Sequence, residues 1–184
     1  MHIFLLGPLN AGKSTVIKNT VSKLRAKADS LSLGGFVTYK ANTRVNEGDP
    51  YIFMRPAGED GRKSAVAIAK FGANSPVCIA GVLDTFGADI LRKSHSRDLI
   101  CMDELGFIER DALLFQREVF RCLDCGKPVL GVLRDREIPW HRYIREHKDV
   151  ATIKVTEENR DSLPEQLCEM FLRYLASAED INAV

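Results

Sequence analysis

A glycine-containing segment near the start of the chain constrains the fold more than any other part of the sequence. Residues 7–14 read Gly7-Pro8-Leu9-Asn10-Ala11-Gly12-Lys13-Ser14 and fit the pattern G-x-x-x-x-G-K-[ST]. An apolar run at residues 3–6 precedes the pattern, and an amphipathic stretch at residues 12–28 follows it. A strand, a glycine-rich loop and a helix in that order are the context in which this pattern binds phosphate. The sequence therefore predicts an α/β domain that holds the phosphates of a nucleotide.

Each residue type in this loop has a chemical reason. Gly7 and Gly12 give the backbone the freedom to wrap, so that successive N–H groups point toward an anion at the start of the helix. Lys13 is placed to reach the β and γ phosphates, and the Ser14 hydroxyl is a ligand for the Mg²⁺ that bridges them. Thr15 is expected to support the helix start or the α phosphate. The predicted nucleotide-binding residues are Gly7, Pro8, Leu9, Asn10, Ala11, Gly12, Lys13, Ser14 and Thr15.

Short apolar runs alternate with amphipathic stretches along the rest of the chain. This pattern is typical of parallel strands that helices cover on both faces, and it predicts a doubly wound, mostly parallel α/β sheet in a three-layer sandwich. Strands are expected at residues 3–6, 36–39, 77–82, 99–102, 129–133 and 152–155. Helices are expected at residues 12–28, 65–70, 85–94, 112–123, 140–146 and 163–178.

One segment interrupts this alternation. Residues 42–63 are rich in Asn, Gly, Asp and charged residues around a short alternating run at residues 51–55. Turn-forming residues on both sides of an alternating run indicate a small β-hairpin excursion. The chain has 184 residues and no long polar linker. We therefore expect residues 1–184 to form a single domain.

Composition excludes several classes of function. The chain has 26 Lys and Arg against 25 Asp and Glu, for a formal net charge of +1. No general field attracts polyanions, so nucleic-acid binding is disfavoured. Five cysteines cannot all pair within one chain, and reduced thiols fit a cytoplasmic protein. No stretch approaches the roughly 20 apolar residues that span a bilayer, so a membrane protein is not expected.

Two neighbouring acids end the predicted strand at residues 99–102. Asp103 and Glu104 should lie at the carboxyl ends of the strands, where open α/β sheets bind ligands. An acid in this position holds Mg²⁺ in P-loop enzymes, and we assign that role to Asp103. Glu104 is then placed to orient and deprotonate a water that attacks the γ phosphate. The alternative is that the acids only cap a following helix.

Two arginines follow another predicted strand. Arg134 and Arg136 come after residues 129–133, which places them at the same edge of the sheet. One of them is a candidate to stabilise the negative charge that grows during phosphoryl transfer. A surface ion pair explains either arginine equally well.

The histidines do not form a recognisable metal-binding pattern. His2, His95, His141 and His147 lack a spacing such as H-E-x-x-H. The sequence Cys122-Leu123-Asp124-Cys125 lacks a second pair or further histidine ligands. Zinc chemistry is therefore not expected from the sequence.

Taken in order, these elements resemble a known family. The loop at residues 7–15, the run Gly34-Gly35-Phe36-Val37-Thr38, the Asp103-Glu104 pair and residues 155–163 together resemble the cancer-related nucleoside-triphosphatase family over nearly the whole chain. The resemblance implies a RecA-like P-loop domain that hydrolyses ATP, GTP and other triphosphates with Mg²⁺ and with broad base tolerance. The chain departs from the usual family pattern after the acids, where it reads Leu105-Gly106-Phe107-Ile108-Glu109.

Two other functions fit the same residues. The first is a kinase that transfers the γ phosphate to a nucleotide or another small acceptor, with arginines in residues 134–145 forming a lid. The second is a nucleotide-dependent switch with little turnover, in which residues 42–63 respond to the bound nucleotide for a protein partner. The expected ligand is a nucleoside triphosphate in each case, and we expect a monomer.

Overall fold

The computed structural model describes residues 1–41, 50–59, 63–72, 75–135 and 137–182, with side chains described as far as residue 177. This part of the chain contains eight strands and five α-helices. The strands are β1 (His2–Leu6), β2 (Leu33–Ala41), β3 (Tyr51–Pro56), β4 (Val66–Phe71), β5 (Pro76–Cys78), β6 (Leu99–Leu105), β7 (Val129–Leu133) and β8 (Val150–Lys154). The helices are α1 (Lys13–Lys27), α2 (Ala88–Lys93), α3 (Leu113–Asp124), α4 (Pro139–Arg145) and α5 (Leu163–Asn182), and a π-helical turn, Leu83–Gly87, leads into α2.

All eight strands belong to one sheet. Their order is β5-β4-β3-β2-β6-β7-β1-β8. The pairs β2 with β6, β6 with β7, β7 with β1 and β1 with β8 are parallel. The strands β3, β4 and β5 extend the sheet by successive antiparallel pairs from β2. The central strands are apolar runs because helices cover them on both faces.

Two apolar clusters pack on opposite faces of this sheet. One cluster joins Ile3 and Leu5 of β1 to α1 and to Leu167 and Phe171 of α5. The other cluster joins Phe4 to α2, α3 and α4, with Phe115 and Trp140 among its buried side chains. Alternate residues of β1 therefore enter different layers, as the two-residue period of a strand requires. The result is the predicted three-layer α/β sandwich.

Gly35 brings β2 very close to β6. Its φ is 84°, and a Cβ added to it would lie 1.8 Å from the carbonyl oxygen of Cys101. A residue with a side chain fits neither the conformation nor the space. The N–H of Gly35 donates to Ser94 Oγ at 2.6 Å, so the same residue also ties β2 to the end of α2.

The segment from residue 42 to residue 71 differs from the sequence prediction in its extent. The predicted excursion contains β3, which forms a hairpin with β2 and continues the sheet, whereas residues 42–49 and 60–62 lie outside the described residues. The helix predicted at residues 65–70 is wrong, because this run forms β4 between β3 and β5. A short apolar run is ambiguous by periodicity, and strand pairing on both sides overrides the helix propensity of its alanines.

One further strand boundary differs from the sequence prediction. The strand expected at residues 77–82 ends at Cys78 and is followed by the π-helical turn. Asp84 in that turn accepts the N–H groups of Leu114 and Phe115 at 2.9 and 3.0 Å, so it caps α3 rather than its own helix. Among the described helices, none combines the length and apolarity that a bilayer crossing requires.

Candidate functional site

The site lies where three adjacent strands end. In the order β6-β7-β1, the carboxyl-terminal part of β6 carries Asp103 and Glu104, β7 leads into Arg134, and β1 leads into the loop beginning at Gly7. Parallel pairing places these three chain segments at one edge of the sheet. This edge is where ligands bind in open α/β sheets.

The loop between β1 and α1 has the backbone of a phosphate-binding loop. Gly7, Asn10 and Gly12 have φ values of 145°, 65° and 97°, which turn the chain around the start of α1. Lys13 is only 8% exposed, and its Nζ donates to the carbonyl oxygens of Gly7 at 2.8 Å and Pro8 at 2.7 Å. Burial lowers the pKa of Lys13, and the nearby Glu104 opposes this effect. A buried ammonium group therefore lies inside the loop.

Ser14 joins this loop to the end of β6. Its hydroxyl donates to Asp103 Oδ1 at 2.8 Å, across 89 residues of chain. Asp103 is 7% exposed, and burial raises the pKa of its carboxyl group to about 6 although the hydrogen bond from Ser14 opposes this shift. The Thr38 hydroxyl donates to the backbone oxygen of Asp103 at 2.9 Å and holds the strand end from the β2 side. A hydroxyl and a carboxylate oxygen from two distant segments thus meet at one point.

Glu104 has an unusual backbone. Its φ is 75°, and the pairing of β6 with β7 shifts register between Met102 and Leu105. A residue other than glycine is uncommon in the left-handed conformation. Irregular strand positions of this kind redirect side chains beside active sites. The Glu104 carboxylate reaches Arg134, whose Nε lies 3.4 Å from Glu104 Oε1, and both side chains remain about one-third exposed. The β6–β7 irregularity therefore places a carboxylate and a guanidinium group at the edge of the sheet.

Glu109 is a residue of this region that sequence reasoning missed. It is 2% exposed, and its Oε2 accepts the N–H of Gly106 at 2.8 Å. Burial raises the pKa of Glu109 to about 7, although the hydrogen bond from Gly106 opposes this shift. This carboxyl group fixes the turn that follows Glu104. The available signal was an acid three residues after a glycine that ends a strand, a spacing suited to capping a turn.

The segment after β8 also reaches the loop. Arg160 lies against Gly12, because a Cβ added to Gly12 would be 3.6 Å from Arg160 Cδ. Asn159 Oδ1 accepts the N–H of Thr156 at 2.8 Å, and its amide donates to Lys154 at 2.9 Å. Asn159 therefore shapes the turn between β8 and α5, while Arg160 forms a wall beside the start of α1.

A groove adjoins the Ser14–Asp103 pair on the α1 face of the sheet. It has a volume of about 610 Å³ and runs between α1 and strands β2 and β3. Cationic side chains line it, and Asp103 is the one acid among its described lining residues. The cations are Lys18, Arg25, Lys40 and Arg55. A second cleft of about 400 Å³ lies beside Glu104, Glu109 and Arg134.

The structure places most of the predicted site residues together. The loop residues Gly7 to Ser14, the acids Asp103 and Glu104, and Arg134 meet at the carboxyl edge of the sheet. Thr15 follows Ser14 in the first turn of α1. Arg136 lies outside the described residues, so its predicted role stays a prediction.

Comparisons with known proteins agree on one family. The model of the NTPase family matches residues 2–168. The chain is 30% identical over 181 residues to the nucleoside-triphosphatase THEP1 of Methanosarcina acetivorans, a match that covers 95% of this chain and 99% of that protein. It is 31% identical over 174 residues to the nucleoside-triphosphatase THEP1 of Thermofilum pendens, covering 90% of this chain and 92% of the relative.

Solved structures share the fold. THEP1 from the hyperthermophile Aquifex aeolicus superposes with a TM-score of 0.73 at 20% identity, covering 93% of this chain and 99% of that chain. A human cancer-related nucleoside triphosphatase superposes with a TM-score of 0.70 at 21% identity, covering 92% and 96% of the two chains. These similarities confirm the predicted fold class and the resemblance noted from the sequence.

Proposed function

Since this chain belongs to the NTPase family and hydrolyses nucleoside triphosphates, we propose that it is a Mg²⁺-dependent enzyme that accepts ATP, GTP and other triphosphates with broad base tolerance. The observation that carries this proposal is the 2.8 Å contact between Ser14 Oγ and Asp103 Oδ1. It brings a hydroxyl of the phosphate-binding loop and a carboxylate of a strand end to the same point, which is the arrangement that a nucleotide with a bridging cation requires.

The residues present fit Mg²⁺. This ion prefers oxygen ligands and is usually held by one or two protein oxygens, phosphates and water. Ser14 and Asp103 offer a hydroxyl and a carboxylate oxygen, and Asp103 is buried in a position where burial raises its pKa to about 6. A cation beside this carboxylate favours the ionised form. When bound, Mg²⁺ would neutralise charge on the β and γ phosphates.

Lys13 and the loop backbone would hold the triphosphate. The Lys13 ammonium group hydrogen-bonds to Gly7 and Pro8, and phosphate oxygens can replace these carbonyl acceptors after a small side-chain movement. The N–H groups at the start of α1 add partial positive charge at the same place. Arg160 lies beside Gly12, and we propose that it forms the wall on the nucleoside side without selecting one base.

We assign hydrolysis to Glu104 and Arg134. The Glu104 carboxylate takes a proton from a water whose oxygen attacks the γ phosphorus, and the bond from that phosphorus to the bridging oxygen breaks to release the diphosphate. Arg134 lies 3.4 Å from Glu104 and is positioned to stabilise the charge that develops on the transferred group. Glu104 and Arg134 must move apart so that one contacts the water and the other the transferred phosphate. The one-third exposure of each side chain leaves room for this movement.

The decisive test compares Glu104→Gln with the wild type. The variant retains the shape of the side chain but cannot accept a proton, so we expect kcat to fall about 100- to 10,000-fold. Affinity for Mg-nucleotide, measured by calorimetry, should stay unchanged because Asp103 and the loop are intact. Phosphate release should be measured with four nucleotides and with EDTA. We expect the four rates to lie within about 100-fold of each other, because no strict hydrogen-bond readout of the base is proposed.

A matched control is Glu146→Gln, which changes an exposed acid at the end of α4 that pairs with Arg142. This control should hydrolyse nucleotides at the wild-type rate. Undiminished turnover in Glu104→Gln would remove Glu104 from the mechanism. Hydrolysis that continues in EDTA would instead contradict the need for Mg²⁺.

A kinase is the second candidate, and the cationic groove supports it. Its volume of about 610 Å³ and its four cations suit a phosphorylated acceptor beside the γ-phosphate position, whereas the sequence had suggested a lid at residues 134–145. The same assay should therefore be repeated with nucleoside monophosphates and sugar phosphates. An acceptor that raises diphosphate formation above phosphate release would favour the kinase. Equal amounts of the two products under all conditions favour hydrolysis alone.

We further propose a single domain over residues 1–184 that works as a monomer in the cytoplasm, without nucleic acid. The formal net charge of +1 and the five cysteines, all free of disulfides, support this proposal.

A further inference from the structure

Two histidines and an aspartate meet at the end of the sheet opposite the nucleotide site. His2 begins β1, whereas the phosphate-binding loop follows its other end, and His147 and Asp149 lie between α4 and β8. One potential ligand atom from each of these three residues lies within 4.8 Å of the other two. We propose that this cluster binds a divalent transition metal of the zinc class.

His2 supplies a nitrogen that needs a partner. Its side chain is 2% exposed, and its Nδ1 makes no hydrogen bond of normal geometry in the described part of the chain, where the Leu123 backbone gives the ring only a weak contact. Buried polar atoms normally have a partner, and an orphan in a native structure therefore calls for an explanation such as an ion or a water. The backbone N–H of His2 donates to the backbone carbonyl oxygen of Asp149 at 2.8 Å, which fixes the position of the ring beside that residue.

His147 is oriented as metal-binding histidines are. Its Nε2 lies 3.3 Å from Asp124 Oδ1 at the end of α3. A carboxylate that accepts one ring N–H selects the tautomer in which the other nitrogen carries a lone pair. The Nδ1 of His147 accepts a hydrogen bond from the N–H of Asp149 at 3.3 Å, the same length as the Asp124 contact of Nε2. A metal would take the place of this backbone N–H at Nδ1.

The chemistry of the three residues selects the metal. Two imidazole nitrogens and one carboxylate are ligands that suit Zn²⁺, whereas Mg²⁺ favours an all-oxygen set. Water completes four-coordination at a site with three protein ligands. The rings of His2 and His147 are already close, with centroids 5.7 Å apart in an edge-to-face arrangement. No sequence spacing reveals this site, because 144 residues separate the two histidines.

The location indicates a structural role. A bound ion would connect β1 to the segment before β8, and Asp124 would extend that connection to the end of α3. These three parts are distant in sequence, so the ion would stabilise the folded state over the unfolded one. Nucleotide hydrolysis should not depend on it, because the Ser14–Asp103 pair lies beyond the other end of β1.

The test is zinc titration of untagged, metal-free protein in excess Mg²⁺. We expect one zinc per chain by calorimetry and a rise of about 5–10 °C in Tm at a hundredfold excess over Kd. His147→Gln and Asp149→Asn should each lose both the zinc stoichiometry and the Tm rise. Both variants should hydrolyse nucleotides at the wild-type rate, and in chelator the two should have the same Tm. Asp124→Asn should weaken zinc binding by about 10- to 100-fold, because it removes only the partner of His147.

Two controls exclude other sites. His95→Gln removes a histidine outside the cluster and should bind zinc like the wild type. Cys125→Ser removes the thiol next to Asp124, and Co²⁺ substituted into the wild type should show no thiolate charge-transfer absorption. The proposal is overturned by any of three results: no Tm rise in the wild type, an equal rise in His147→Gln and Asp149→Asn, or a thiolate band that disappears in Cys125→Ser.

Discussion

Glu104 adopts a left-handed backbone conformation with a φ of 75° where the β6–β7 pairing shifts register. A residue with a side chain in such a conformation costs about 1–3 kcal/mol and persists only when its surroundings impose it. Here the buried Glu109 fixes the turn after Glu104 by accepting the N–H of Gly106. The backbone N–H of Arg134 donates to the carbonyl oxygen of Leu105 at 3.0 Å. These contacts hold Glu104 in its strained conformation and so keep its carboxylate beside Arg134.

At this scale the prediction concerns Arg134. We expect Arg134→Ala to lower kcat by about 1,000-fold or more with little change in KM, because a positioned arginine acts on charge that appears in the transition state. Arg134→Lys should recover little, since lysine lacks the planar fork. Arg142→Ala, on the exposed side of α4, is the matched control in steady-state kinetics. A kcat near the wild-type value in Arg134→Ala would mean that the Glu104 contact is only a surface ion pair.

Among the elements, the pairing of β2 with β6 depends most on one residue type. Gly35 has a φ of 84°, and a Cβ there would lie 1.8 Å from the Cys101 carbonyl oxygen. The two strands therefore approach at a distance that only glycine permits. Because β6 carries Asp103 and Thr38 of β2 binds the Asp103 backbone, this close approach also positions the end of β6 that carries Asp103.

Two glycine substitutions separate conformation from collision. Gly126 has a φ of 76° and nothing within 4 Å of an added Cβ, so Gly126→Ala should cost about 1–2 kcal/mol from the left-handed conformation alone. Gly35→Ala should cost the same amount plus about 1–3 kcal/mol from overpacking against Cys101. The free energies of unfolding can be compared by urea denaturation. Equal losses in the two variants would show that β2 can move away from β6 without penalty.

The sequence predicted the elements whose signals are local and missed those that depend on partners. The strand before Gly7, helix α1 and the acids near the end of β6 carry periodicity and motif residues within a few positions. Strand β4 was predicted as a helix because only its pairing with β3 and β5 decides its conformation. The irregularity at Glu104 and the burial of Glu109 also arise from neighbouring segments, so residues 99–109 alone indicate a turn cap at Glu109 but neither of these two features.

For the whole molecule, buried titratable groups make stability depend on pH in opposite directions. Burial lowers the pKa of His141 to about 4, so the folded state keeps this ring neutral while the unfolded chain protonates it near pH 6.5. His141 therefore destabilises the protein as the pH falls from 6.5 to 4. Burial raises the pKa of Glu109 to about 7, so this group destabilises the protein as the pH rises from its unfolded value near 4.5 to 7.

Replacing His141 isolates one of these contributions. Neither ring nitrogen of His141 makes a hydrogen bond of normal geometry within the described residues, where the Gly106 backbone gives only a weak contact, and the ring packs edge-on against Trp140. His141→Phe therefore keeps the ring and removes the titration. The difference in the free energy of unfolding, variant minus wild type, should be about 2 kcal/mol larger at pH 5 than at pH 7.5. At pH 5 the unfolded wild type takes up a proton on His141, and the variant cannot. Urea denaturation at the two pH values measures this difference, and other groups cancel in the comparison. An identical difference at both pH values would contradict neutral burial.

The sheet combines two kinds of connection, and this has a consequence for how the chain reaches its native state. Strands β2 to β5 follow one another as antiparallel neighbours, whereas β1 is bordered by β7 and β8, which come more than 120 residues later. Local pairings form early and long-range parallel pairings form late, because large loops must close first. The Ser14–Asp103 contact spans 89 residues, so we expect the capacity to bind nucleotide to appear among the last events of refolding.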